Sequence, residues 1–252
     1  MQWRHRTSLD WLKARQPYLT ATDIKELLPV TKTGRSRKVD TDSYLKVLSR
    51  KLKKLTEDDC ISYGAAARGH IMEPFAVHEF NYEYEETHIP KMFHWDDALI
   101  AGNNSPLAFS PDALDIERPN GDCVFIDVRP QYGLEVKSYT ADKHLICGHM
   151  DKMELEERWQ LAAAMKVCES IKEMYLMFYN PSMPANFIHV YTREDLVEEC
   201  EIIDEIILRW NHFIDGSYPC LGTKFGNRYD EQDIIKVLME REKLNPEKSV
   251  RP

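Results

Sequence analysis

The chain has 252 residues, of which 43% are hydrophobic and 10% aromatic, with a formal net charge of −9. That length and apolar content exclude a disordered or fibrous protein and suit one elaborated globular domain over residues 1–252, with a polar tail from about 225. The acidic total argues against a uniformly basic nucleic-acid binder, yet Lys32, Arg35, Arg37, Lys38, Lys46, Arg50, Lys51, Lys53 and Lys54 crowd one short span, so the first third is net basic.

Taken in chain order, Met1 to Arg6 lacks the apolar core of a signal peptide, and no apolar run reaches membrane-spanning length. The expectation is a soluble, cytoplasmic protein with no membrane association. The six cysteines form no C-x-x-C pair, which points to free thiols. Thr7 or Ser8 is expected to cap a first helix that carries Leu9, Trp11 and Leu12 and stops near Pro17. Thr22 is expected to cap a second helix beginning at Asp23. A helix N-terminus with a hydroxyl and a cation such as Arg15 nearby can hold a phosphate.

Within 32–54 the pattern predicts a polar loop followed by a helix through Tyr44, Leu45, Val47, Leu48 and Leu52. Residues 61–67 are small and read as a flexible loop. The helical pattern through Ile71, Phe75, Ala76, Val77 and Phe80 should be kinked or delimited by Pro74, and it carries Glu73 among apolar neighbours. Ala108 to Asp112 reads as a short strand, and Asn120-Gly121-Asp122 as a hairpin tip before a strand over 123–126. Pro130 and Gly133 read as a further turn, the whole forming a meander. Residues 139–153 read as irregular, with His144 and His149 on the surface. An amphipathic helix over 154–168 carries Gln160, strands follow at 174–179 and 187–191, and a long helix runs from about Arg193 to Ile214.

The chemistry concentrates in Ser110-Pro111-Asp112 and Leu134-Glu135-Val136-Lys137-Ser138. Strand alternation sends Leu134 and Val136 to a core and Glu135 and Lys137 together to the other face. Asp112 and Glu135 are hard oxygen ligands suited to Mg²⁺, and Lys137 beside them can orient an attacking water. A Glu-x-Lys pair alone is more often a solvated ion pair. What distinguishes this one is the company of Asp112.

With Arg15-x6-Thr22, Arg68-Gly69-x3-Glu73-Pro74, Ser110-Pro111-Asp112, Leu134-Glu135-Val136-Lys137 and Gln160, the chain resembles the lambda exonuclease/YqaJ branch of the PD-(D/E)XK nucleases from about Trp11 to Tyr191. The resemblance implies an α/β, restriction-endonuclease-like core with a mixed central sheet flanked by helices. It also implies a metal-dependent hydrolase acting on ends of double-stranded DNA, degrading one strand from the 5′ end. Carried over residue by residue, Asp112, Glu135 and the Val136 carbonyl would bind Mg²⁺, with Mn²⁺ as an alternative, and Glu73 would serve a second ion. Lys137 would position the water, Gln160 would hold that geometry, and Arg15, Thr22 and Ser110 would take a terminal 5′-phosphate. A homotrimer and a single-strand-annealing protein as partner are further implications. Thr22 departs from the more usual serine, and Asp115, Asp122 and Asp127 are rival carboxylates. Ile61 or Tyr63 would serve as a wedge splitting the duplex end, if 61–67 is more than a loop. A structure-specific or restriction-type endonuclease, and a DNA-binding module without turnover, are the alternative readings.

Overall fold

Of the two expected caps, Thr7 and Ser8, it is Ser8 that begins the first helix: its hydroxyl accepts the Trp11 amide at 3.1 Å, satisfying one of the orphan donors of the first turn. This computed structural model describes residues 4–28, 41–85, 87–103, 105–121 and 123–217. The expected polar loop over 32–40, the Asp122 tip and the tail from 225 lie outside the described residues.

The chain opens with β1 (Arg4–Arg6) and α1 (Leu9–Arg15), and α2 (Ala21–Leu27) follows. The cap of α2 is Thr20, not Thr22. Asp23, three residues on, returns a carboxylate to the Thr20 amide at 2.9 Å and hydroxyl at 3.0 Å. A box begun at Thr22 would need an acceptor at Lys25, which has none to offer.

Next come α3 (Thr41–Leu52) and β2 (Ile61–Tyr63), which pairs antiparallel with β1, so residues 61–63 are strand rather than loop. Gly64, at φ 63°, turns the chain into α4 (Ala65–Glu83), a conformation glycine adopts without a Cβ penalty. Alanines 65–67 start the helix, the best helix formers available. Pro74 lies inside α4 and does not delimit it. It removes only the amide that would reach the His70 carbonyl, and burial of Ala76, Val77 and Phe80 against the sheet carries the helix past it.

The strands β3 (Phe93–His94), β4 (Leu99–Ala101), β5 (Ala108–Phe109), β6 (Ala113–Leu114), β7 (Val124–Phe125) and β8 (Tyr132–Lys137) follow. Then come α5 (Ala141–His149), α6 (Arg158–Val167), β9 (Glu173–Phe178), β10 (Phe187–Thr192) and α7 (Val197–Ser217). The central sheet runs β10-β9-β8-β6-β3, with β8 and β9 parallel and the other pairs antiparallel. A parallel pair needs a long crossover, and α5 and α6 supply it.

The expected meander is corrected. Val124–Phe125 does not return beside Ala108–Asp112 but pairs in parallel with β4, in a separate three-stranded sheet ordered β5-β4-β7. Gly133 lies inside β8 rather than in a turn, where a Cβ would come 2.5 Å from the Met174 sulfur. Residues 141–149 are helical, and His144 is fully buried instead of exposed, its Nε2 3.0 Å from the Ala185 carbonyl.

Alternation along β8 and β9 makes two apolar layers. Leu134, Val136, Tyr175 and Met177 pack on one face with Ala76, Val77 and Phe80 of α4. Met174, Leu176 and Phe178 join Leu161 to Met165 of α6, Ile203, Ile206, Trp210 and Ile214 of α7, and Ile24 and Leu27 of α2 on the other. Each fully buried aliphatic or aromatic side chain contributes roughly 1.5–3 kcal/mol. The three consecutive alanines of α6, Ala162 to Ala164, are buried in this second layer.

Candidate active site

Glu135 and Lys137 share the face of β8 opposite Leu134 and Val136, as alternation dictates, and the Lys137 ammonium bonds the Glu135 carboxylate. Gln160, in the first turn of α6, donates from its amide to Glu135 Oε1 at 2.6 Å. Asp112 stands at the entry to β6, beyond the point where that strand pairs with β8. Its Oδ2 accepts the Val136 amide at 2.7 Å, a bond the sheet itself would otherwise have made. Trp95, just past β3, donates its amide to the Asp112 carbonyl at 3.0 Å, so the backbone is held from both sides.

Glu73 arrives from the other layer, on α4, with Oε1 3.3 Å from His70 Nδ1 one turn earlier. The His70 ring is in turn stacked on His5 of β1, with centroids 4.8 Å apart. Sequence reasoning missed both histidines. Their signal was available only in part, because His70 precedes Glu73 by three residues while His5 is brought in by the β1–β2 ribbon.

Three carboxylates from three elements therefore meet around one lysine. Burial pushes the Asp112 carboxyl well above its ordinary range, and Glu135 and Glu73 push it the same way. Burial also raises Glu135, against the opposing pull of Lys137. Burial would lower Lys137, but Glu135 and Asp112 outweigh it and the ammonium holds its proton more tightly. Burial would raise Glu73, but its hydrogen bond from His70 brings it below the usual value. Buried like charges of this kind call for a counter-cation.

The donor set fits a hard divalent cation: oxygens only, with Asp112 Oδ1 and Glu135 Oε2 making no hydrogen bond among the described residues. Val136 directs its amide toward Asp112, and a strand residue's carbonyl leaves by the same edge as its amide. Among the described residues, however, no three His, Cys, Asp or Glu side chains are already closed up as a metal cage. Lys137 and Gln160 hold one oxygen of Glu135, and Glu73 is held by His70.

Arg15 is half-buried with its guanidinium 5.1 Å from the centre of the Trp11 ring, and Thr22 is exposed on the first turn of α2. Burial lowers the Arg15 pKa against the opposing pull of Asp23. The Ser110 hydroxyl donates to the Ala98 carbonyl at 2.6 Å, so its proton is already committed. Of the rival carboxylates, Asp115 accepts the Gln131 and Tyr132 amides at 3.0 and 3.2 Å and serves the fold. Asp127 lines a cavity of about 790 Å³ at the C-terminal end of α6, where Lys166 is paired with Asp204. It lies at the opposite end of α6 from Gln160, and its lining includes none of Glu73, Asp112, Glu135 and Lys137. The candidate wedge residues Ile61 and Tyr63 are in β2, with Tyr63 54% exposed.

Among solved structures, LHK-Exo, determined in complex with dAMP, superimposes with a TM-score of 0.52 at 15% identity, covering 84% of this chain and 100% of that one. The protein SSO0001 superimposes at 0.36 and 13% identity, over 79% of this chain and 85% of that one. No curated protein sequence matches the chain. The LHK-Exo likeness is one of fold, that of a restriction-endonuclease-like core with mixed sheets flanked by helices. Residues 10–170, more than half of the chain, match the YqaJ-like viral recombinase domain. The chain belongs to that family, and is a recombination-associated nuclease. No helix among the described residues is long and apolar enough to cross a membrane.

Proposed function

We propose that the protein is a Mg²⁺-dependent exonuclease that degrades one strand of linear duplex DNA in the 5′-to-3′ direction from 5′-phosphorylated ends. The observation that carries this reading is the meeting of Asp112, Glu135 and Glu73 around Lys137 at the end of β8. Asp112, Glu135 and the Val136 carbonyl would hold Mg²⁺ or Mn²⁺, with Glu73 serving a second ion directly or through water. The ion supplies charge neutralisation at the phosphate and a more acidic bound water. Lys137, fixed by Glu135, would orient the attacking water. Gln160 fixes the Glu135 carboxylate from the helix side, and His70 fixes Glu73.

Arg15 and Thr22 suit the terminal 5′-phosphate as a half-buried guanidinium and an exposed hydroxyl. Ser110 joins them only by releasing the Ala98 carbonyl. In this reading residues 1–252 act as one domain in a ring-shaped homotrimer around DNA, handing the exposed strand to a single-strand-annealing protein.

Linear duplex labelled at either terminus tests the proposal. With Mg²⁺ the 5′-terminal label is released first, without it neither is, and Asp112→Asn and Lys137→Ala each slow release by about 10²–10⁴-fold. Wild-type digestion by those variants would remove the assignment. Closed circular duplex should survive, and cutting it would favour the restriction-type endonuclease. Equal rates on 5′-hydroxyl and 5′-phosphate ends would release Arg15 from its role.

A further inference from the structure

One cation beside the carboxylates makes no hydrogen bond or ion pair among the described residues. Helix α2 packs against α6 and α3, with Asp23, Ile24 and Leu27 buried and Lys25 half-buried. Its electrostatic neighbours are Lys137, Glu157, Glu156 and Glu135. Glu157 is occupied as acceptor of the Tyr139 hydroxyl, and Glu135 by Lys137 and Gln160. The lysines around it are paired, Lys51 with Asp23 at 2.5 Å and Lys46 with Glu26 at 3.5 Å. Lys25 itself, among the described residues, makes neither a hydrogen bond nor an ion pair.

Holding an ammonium out of water beside a second ammonium costs free energy, and burial, with Lys137 next, lowers its pKa against the opposing pull of Glu157, Glu156 and Glu135. An anion placed there relieves that cost. Thr22 and Lys25 are three residues apart on α2, hence neighbours on one helix face about 4.5 Å apart along the axis. Lys25 is thus within one turn of the hydroxyl assigned to the terminal phosphate, and it has Glu135 and Lys137 among its electrostatic neighbours.

We propose that Lys25 binds the scissile phosphate, the phosphodiester one nucleotide in from the 5′ end, bridging the terminal-phosphate pocket and the carboxylate centre. The assignment rests on the nuclease reading above. It makes α2 a two-point ruler for the DNA backbone, Thr22 on the end and Lys25 on the bond to be cut. Lys25 is a substrate-binding residue in this scheme and moves no proton.

The test uses the full chain carrying Lys25→Gln or Lys25→Arg. One measurement is single-turnover cleavage of 5′-phosphorylated linear duplex with Mg²⁺. The other is binding of the same duplex across a NaCl series with Ca²⁺ in place of Mg²⁺. Lys25→Gln is expected to slow cleavage by about 10²-fold, as loss of a charge-stabilising donor does. It should also flatten the slope of log affinity against log salt by about 0.9, the loss of one phosphate contact. Lys25→Arg restores the slope and part of the rate, with melting temperatures unchanged. Cleavage within twofold of wild type overturns the proposal. So does an unaltered salt slope with a lowered melting temperature, which would make Lys25 a counter-ion for Glu156 and Glu157. Wild-type protein inert on duplex DNA with Mg²⁺ is a different failure, because it removes the nuclease reading first and Lys25's role with it.

Discussion

Asp23 and Asp112 are both buried aspartates, yet the fold treats them in opposite ways. Asp23 accepts from Thr20, from Lys51 Nζ at 2.5 Å and from Arg50 Nε at 3.2 Å. Burial would raise its pKa, but Lys51, Thr20 and Arg50 outweigh burial and hold it below the ordinary value of 3.8. A depressed folded pKa contributes stability that is present above the unfolded value and lost as pH falls through the folded one. Asp23→Asn should therefore lower unfolding free energy by about 3–5 kcal/mol at pH 7, chiefly because the Lys51 ammonium is left buried without its anion. Urea titrations should show the deficit shrinking below about pH 3.8. A deficit that stays constant to pH 2 would mean Asp23 acts as a helix cap alone. The sequence displays Asp23 as a plain first-turn acid, since Lys51 is 28 residues away and the pairing needs α3 folded against α2.

At the scale of elements, close approach decides more than propensity. Gly148 sits in α5 where an added Cβ would lie 2.3 Å from the Phe187 ring of β10, whereas at Gly133 the obstacle is the flexible end of Met174. Gly148→Ala adds about 1 kcal/mol of helix propensity but overpacks a rigid ring at about 1–3 kcal/mol, so it should lower the melting temperature. Gly133→Ala should cost less, because a thioether can swing aside. Equal or reversed effects in thermal melts would contradict this contact pair. The same logic explains what the sequence made legible. The alternations through Leu134–Lys137 and Met174–Phe178, the Ser8 cap and the long α7 were readable because each signal is local. Helix α5 was not, since only His144 and Cys147 of its nine residues are buried and its period is too thin to see. The partner of β7 was not readable either, because Asn120-Gly121 favours a tight turn while β4, more than twenty residues back, decides the pairing. In the candidate site, Asp112, Glu135, Lys137 and Gln160 were visible as motif pieces, and their convergence was expected from the family resemblance, because no local pattern carries it.

For the molecule as a whole, a centre of mutually repelling carboxylates is a cost that a cation turns into stability. Asp112 has a folded pKa raised well above 3.8, so folding binds its proton and stability falls as pH rises from the unfolded value toward the folded one, the reverse of Asp23. Around neutral pH the metal-free fold should therefore be strained at this point. An ion held by the native state alone stabilises it by RT ln(1 + [L]/Kd), about 2.7 kcal/mol at one hundred times Kd. Mg²⁺ should raise the melting temperature of wild-type protein in a saturable way, and EDTA should reverse it. Asp112→Asn should behave differently on both counts. Without metal it should melt at or above the wild-type temperature, because one of three carboxylates is gone, and Mg²⁺ should shift it little. This is the stability cost expected of a site kept for chemistry rather than for folding. A full Mg²⁺ shift in Asp112→Asn would place the ion elsewhere. A variant that melts well below wild type in EDTA would instead show that the Asp112 bond to the Val136 amide, which asparagine can keep only with its carbonyl oxygen, outweighs the repulsion.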